Sequence, residues 1–267
     1  MAYYDSEINV INDFCECDNG EIYLFNSNNE KILQCVRKIE EWHCSSSKSD
    51  PPPDFYSDKY KLMMEVMRVD DHAYINVKGK VINPHIKKEN ETYKEIKKFV
   101  KDNNISFSGN IFVNTVTDLP TQEDHSYDKY LSNFKRVIDN HNSSYDLYKN
   151  NHVNYKLIYL ILDESSSYME KEDFNFNNAL VGDVIQARIH LFFFDKSFIS
   201  ILKKSKADYY IWFAPFKHFN SKEKVELPQV IIYSKEDLNN IELLQYKNEY
   251  MLKFRENTCI FIKMGVL

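Results

Sequence analysis

The sequence predicts an α/β protein with a mixed central sheet flanked by helices. Short apolar runs bounded by turn signals (KLMMEVMRV, YKLIYLILDES, DYYIWFAPF and PQVIIYS) have the length and composition of buried strands. Segments of helical period alternate with them. The chain has 267 residues, 43% of them apolar and 15% aromatic, enough to bury a sizeable core, and it shows no internal repeat. A single domain over residues 1–267 is expected, with a core over about 30–120 and an elaboration over about 121–267, divided near Pro120 and the polar stretch TQEDHS.

The first ten residues carry Asp5 and Glu7 and lack a basic start with an apolar core, so no signal peptide is expected. In KILQCVRKIEEWHC, Ile32, Val36, Ile39 and His43, with Leu33 beside them, share one helical face, which predicts an amphipathic helix over 31–44. The serines and three prolines of CSSSKSDPPPD cannot continue it and predict an exposed connector into Phe55. KLMMEVMRV then reads as a strand. After a glycine-containing turn, Tyr93, Ile96, Phe99 and Val100 align on one face and predict a helix over 91–103. ISFSGNIFVNTV reads as strands, and DKYLSNFKRVIDNH repeats the helical spacing at Leu131, Phe134 and Ile138. YKLIYLILDES and ARIHLFFFDKS read as buried strands ending in acids, DYYIWFAPF and PQVIIYS as further strands, and TCIFIKMGVL as one more.

Composition excludes several function classes. The 34 basic and 40 acidic residues give a net charge of −6, so a nucleic-acid partner must meet a local patch rather than a uniformly basic coat. One such patch is the segment Lys78 to Asp102, with eight lysines against four acids. Lys203, Lys204 and Lys206, followed by Tyr209, Tyr210 and Trp212, form a second basic cluster, although YYIWF reads better as a buried strand. The five glycines lie too far apart for a phosphate-binding loop. Five cysteines, an odd number without a CxxC pair, point to a reducing, cytoplasmic setting, and the spacing of Cys15, Cys17, His43 and Cys44 is not that of a zinc finger. The longest apolar runs fall far short of the roughly 20 residues of a membrane-spanning helix, so a soluble protein without a membrane partner is expected.

The chemistry-bearing stretch is Pro53-Asp54-Phe55 followed by Glu65-Val66-Met67-Arg68 in the middle of an apolar strand. A carboxylate inside such a strand is costly unless paired or ligated. In an extended 61–69 segment, Lys61, Met63, Glu65, Met67 and Val69 share one face. A hairpin from the short strand begun by Asp54 brings its carboxylate beside Glu65, and two hard oxygen ligands with a backbone carbonyl suit Mg²⁺ or Mn²⁺. On the helix ahead, Glu40 falls inside the apolar stripe and Glu41 outside it.

This arrangement resembles the PD-(D/E)XK nuclease-like superfamily over about residues 30–105, in the order helix with Glu40, strand with Asp54, strand with Glu65, then helix 91–103. The resemblance implies a restriction-endonuclease-like core in which Asp54 and Glu65 hold Mg²⁺ or Mn²⁺, Val66 lends its carbonyl and Glu40 is a third carboxylate. The position of the motif's water-activating Lys is Met67, and Lys61, on the face of Glu65, is the expected substitute. The implied function is metal-dependent cleavage or binding of nucleic acid. The alternative is a catalytically inactive nuclease-fold protein of bacterial or phage origin that binds a partner.

Blander readings exist for each residue. Asp54 starts a turn, and Glu65 pairs with Arg68 or Lys61 at a sheet edge. Asp70, Asp71 and His72 read as solvated turn residues. Asp163, Glu164 and Asp195 end apolar runs. They either converge with Asp70 or Asp71 into a two-metal carboxylate cluster or cap the next turn or helix, the role that Asp195 fits before Lys196-Ser197.

Overall fold

The computed structural model describes residues 6–45, 53–105, 111–120, 126–171, 187–215, 219–220, 225–247 and 257–264. Its helices are α1 (Glu7–Glu16), α2 (Glu30–Val36), α3 (Pro84–Asp102), α4 (Tyr127–Ser143), α5 (Tyr145–Asn151) and α6 (Lys196–Lys204). Seven strands build the central sheet: β1 (Ile22–Leu24), β2 (His43–Cys44), β3 (Phe55–Ser57), β4 (Leu62–Val69), β8 (Lys156–Asp163), β11 (Tyr209–Phe213) and β14 (Val230–Ser234). The intervening β5 (Tyr74–Ile75) and β6 (Val81–Ile82), β9 (Met169–Lys171) and β10 (Ala187–Ile189), and β12 (Phe219–Asn220) and β13 (Val225–Leu227) form two-stranded sheets, as do β7 (Ile111–Pro120) and β15 (Asn257–Met264).

The central order is β1-β14-β11-β8-β4-β3-β2. β4, β8 and β11 run parallel, β3 and β14 join them antiparallel on either side, β2 pairs antiparallel with β3 and β1 parallel with β14, so the sheet is mixed, as expected. It draws strands from both sides of the 120–127 stretch, and residues 121–125 lie outside those described.

Side chains alternate across the sheet because successive strand residues point to opposite faces. Met63, Met67, Tyr159, Ile161, Tyr210 and Trp212 pack under α4 and α6. Leu62, Met64, Val66, Leu160, Ile211 and Phe213 pack against α1 and α2. The middle strand β8 is buried from Leu157 to Asp163, which explains why YKLIYLILD reads as a continuous apolar run. Over α4, Tyr130, Phe134 and Ile138 form its buried stripe, and the Ser126 side chain caps its start by accepting from the Lys129 N–H. Among the described residues no helix is long and apolar enough to cross a membrane.

Three sequence expectations are corrected. The helix expected over 31–44 ends at Val36. A single 3₁₀ turn, Ile39–Glu41, follows, and His43 lies exposed on β2. The cause is Trp42, which turns inward to 8% exposure while its indole N–H donates to the Cys35 carbonyl at 2.9 Å, satisfying one of the helix's terminal carbonyls. Second, ARIHLFFFDKS is not one buried strand. It is the short β10 followed by a 3₁₀ turn at Phe192–Phe194, bent so that His190 faces Glu170 and Asp195. Third, the helix expected over 91–103 starts earlier, since α3 runs from Pro84 to Asp102; it lies beside β7 and β15, and the helix packed on β4 is α4.

Candidate functional site

β3 and β4 place Asp54 and Glu65 together. Their antiparallel register, with Phe55 opposite Met64, continues to set Asp54 opposite Glu65, on the face covered by α4. Asp54 immediately precedes β3, where the ladder to β4 runs out, and its Oδ2 accepts the Val66 N–H at 2.9 Å. On a strand, the N–H and C=O of one residue point to the same neighbour, so the Val66 carbonyl faces that side as well.

The electrostatics of the pair are unfavourable as it stands. Glu65 is 3% exposed; its Oε2 lies 3.1 Å from His141 Nδ1, while its buried Oε1 accepts no hydrogen bond. Burial, reinforced by the negative charge of Glu65, pushes the Asp54 carboxyl up to about 7, against the lowering effect of the Val66 N–H. Tyr148 of α5, at 2% exposure, adjoins the pair, and burial together with the Glu65 charge holds its hydroxyl above the usual Tyr range.

The other sequence candidates are placed elsewhere. Glu40 sits on the 3₁₀ turn and is exposed, so it is not on a buried stripe facing the pair; the expectation failed because it assumed continuous helix through residue 44. Lys61 is not on the strand. It adopts a left-handed conformation (φ 53°) in the β3–β4 turn, which carries its exposed side chain to Tyr155, with Nζ 3.3 Å from the hydroxyl. Met67 does share the face of Glu65 and is 2% exposed in the core. Nor does Arg68 pair with Glu65: it makes a two-point salt bridge to Glu164, at 2.6 and 2.9 Å. The neighbour that sequence reasoning missed is His141. Its signal was present, since Phe134, Ile138 and His141 follow at i, i+4 and i+7 on α4.

A second polar group lies at the C-terminal ends of β4 and β8. Asp71 and His72 are 0% and 4% exposed, contrary to the solvated turn expected. Asp71 accepts from the Ser166 N–H and the Tyr168 hydroxyl at 3.1 and 3.0 Å. Asp163 accepts from Ser165 and from the Trp212 indole. Asp195 caps α6, as the sequence suggested, and also faces His190 Nε2 at 2.8 Å, while His190 Nδ1 meets Glu170 at 2.6 Å. These carboxylates are supplied by protein donors, and the cavity beside Asp163 and His190 has room for about one water. The constellation fits a structural role. Among the described residues no group of three or more His, Cys, Asp or Glu side chains is arranged to hold a metal ion.

Comparison of the chain with protein-family models, curated proteins and solved structures returns no match.

Proposed function

We propose that the protein is nuclease-like, holding one Mg²⁺ or Mn²⁺ between Asp54 and Glu65 and acting on or binding nucleic acid. The carrying observation is the juxtaposition of two carboxylates with a buried Glu65 oxygen that accepts no hydrogen bond. Leaving one buried carboxylate oxygen without a donor costs about 1–3 kcal/mol by usual magnitudes, and a hard cation removes that cost. Asp54, Glu65 and the Val66 carbonyl would hold the cation, which supplies charge neutralisation at the scissile phosphate and activation of a bound water. Placement on adjacent antiparallel strands behind a helix agrees with the PD-(D/E)XK resemblance.

His141, with a quarter of its side chain exposed and its ring oriented by Glu65, is the basic group at the pair; Met67 carries no proton to transfer. The second reading, a nuclease-fold binding protein without cleavage, is favoured by the burial of Met67 and the turning away of Lys61. Plasmid DNA and RNA incubated with Mg²⁺ or Mn²⁺ separate the two. Under the proposal the wild type cleaves, and Asp54→Ala or Glu65→Ala lowers the rate by roughly 10²-fold or more. A wild type that binds Mn²⁺ and nucleic acid yet leaves both polymers intact selects the second reading. Equal cleavage by all three proteins contradicts the site.

A further inference from the structure

α3 presents one feature that the site does not use. Asn83 caps its start by accepting the Ile86 N–H, and Pro84 occupies its first turn. Lys87, Lys94, Lys98 and Lys101 recur at intervals of seven, four and three residues, which keeps them on one arc of the helix, with Lys97 at its flank. Glu91, Glu95 and Asp102 fall beyond the other edge of that arc. All five lysines are exposed. Lys97 Nζ rests 6.0 Å over the Tyr93 ring, and the pair Lys87–Glu91, at 4.0 Å with side chains 79% and 52% exposed, leaves Lys87 open to solvent.

We infer that this lysine row is a rail for the sugar-phosphate backbone of a nucleic acid. The inference rests on the nucleic-acid reading above and assigns the surface that delivers it. From Lys87 to Lys101 the row is about 21 Å long at a rise of ~1.5 Å per residue, the axial length of about six phosphates of one strand at ~3.4 Å each. Exposed lysines on a rigid helix act as point charges toward phosphate without needing the planar geometry of carboxylates. Elsewhere the chain is net acidic, so the whole-molecule field repels a polyanion and a local row has to supply the attraction. The row is also tied to the strand that carries Glu65: Asn83 Nδ2 donates to Asp70 Oδ2 at 2.9 Å, and Asp70 follows the last residue of β4. Five residue steps lead along the strand from Glu65 to Asp70, about 16 Å at ~3.3 Å each, so an oligonucleotide of about 20 nucleotides is long enough to occupy both.

The test measures fluorescence anisotropy of labelled 20-nucleotide DNA and RNA between 50 and 200 mM salt. It compares the wild type with a variant carrying Lys87→Glu, Lys94→Glu, Lys98→Glu and Lys101→Glu, a second with Gln at the same four positions, and a third with Arg. Loss of four phosphate contacts predicts a salt slope shallower by about 3 and at least a tenfold loss of affinity at low salt for the Glu and Gln variants, with binding retained by the Arg variant. Circular dichroism checks that each variant is folded. If the wild type binds nucleic acid and the Glu and Gln variants match its affinity and slope, the rail is wrong while the nucleic-acid reading stands. If the wild type binds no nucleic acid, both fall. Tighter binding of poly-glutamate than of either oligonucleotide overturns the rail in favour of an acidic protein partner.

Discussion

Trp212→Ala is expected to bring the protein close to unfolding at room temperature. Trp212 is fully buried at the middle of β11 and stacks on Phe134 of α4, with ring centroids 5.2 Å apart and planes 20° apart. Truncating a buried Trp to Ala typically costs about 3–5 kcal/mol in lost transfer and residual cavity. Its indole N–H also donates to Asp163 Oδ2 at 3.0 Å, inside a core where Asp163 is 1% exposed. Removing a donor from a buried carboxylate adds about 1.5–3 kcal/mol, so the sum approaches the roughly 5–15 kcal/mol that stabilises a typical domain. Trp212→Phe keeps much of the ring packing and loses the hydrogen bond, and should fall between the two. Urea denaturation followed by circular dichroism measures both midpoints. An Ala variant with the wild-type midpoint would contradict the packing of Trp212 between β11 and α4.

Asp54 predicts an inverted pH dependence. Its carboxyl, ordinarily near 3.8, is pushed up to about 7 in the folded protein, so the folded state binds this proton more tightly than the unfolded chain does. The stabilisation from Asp54 is therefore complete below about pH 4 and is lost as pH rises through about 7. At ~1.4 kcal/mol per unit the full shift would be about 4 kcal/mol; Asp54 is only half-buried, and screening reduces the expected effect to about 2 kcal/mol. Asp54→Asn keeps an acceptor for the Val66 N–H and removes the charge. Without divalent cations it should be more stable than wild type at pH 7.5, and the difference should vanish toward pH 4. Thermal melts in buffers containing a chelator test this. Parallel stability curves for the two proteins across pH 4–7.5 would show that burial and the Glu65 charge do not raise the Asp54 carboxyl.

The parts of the molecule legible in the sequence are those whose signal is local and repeated. β4, β8, β11 and β14 are short apolar runs, and α4 declares itself through Phe134 and Ile138. The meeting of Asp54 and Glu65 was also legible, because a hairpin of nearly fixed length joins them. What the sequence did not reveal depends on distant or single-residue geometry. The stop at Val36 is set by Trp42 folding back onto the Cys35 carbonyl, and without that contact the periodicity of Ile32, Val36 and Ile39 runs on to 43. One left-handed residue, Lys61, removes its own side chain from the face that strict alternation assigns to it. His190 breaks an apolar run because Glu170 and Asp195, 20 and 5 residues away in the chain, meet both of its ring nitrogens. His141 belongs to a helix that was foreseen, but its approach to Glu65 required knowing that α4, rather than α3, covers β4.

Titration of Mn²⁺ into the protein at pH 7.5 by calorimetry tests the cation pair most directly, since it needs neither a substrate nor turnover. One Mn²⁺ per chain is expected for the wild type, with affinity at least tenfold weaker in Asp54→Asn and in Glu65→Gln, each of which removes one of two charged ligands. Glu40→Gln and Lys61→Ala should titrate like the wild type, because both side chains are exposed. A wild type that takes up no Mn²⁺, or an Asp54→Asn variant that binds it as tightly as the wild type does, would contradict the assignment of Asp54 and Glu65 as a cation site.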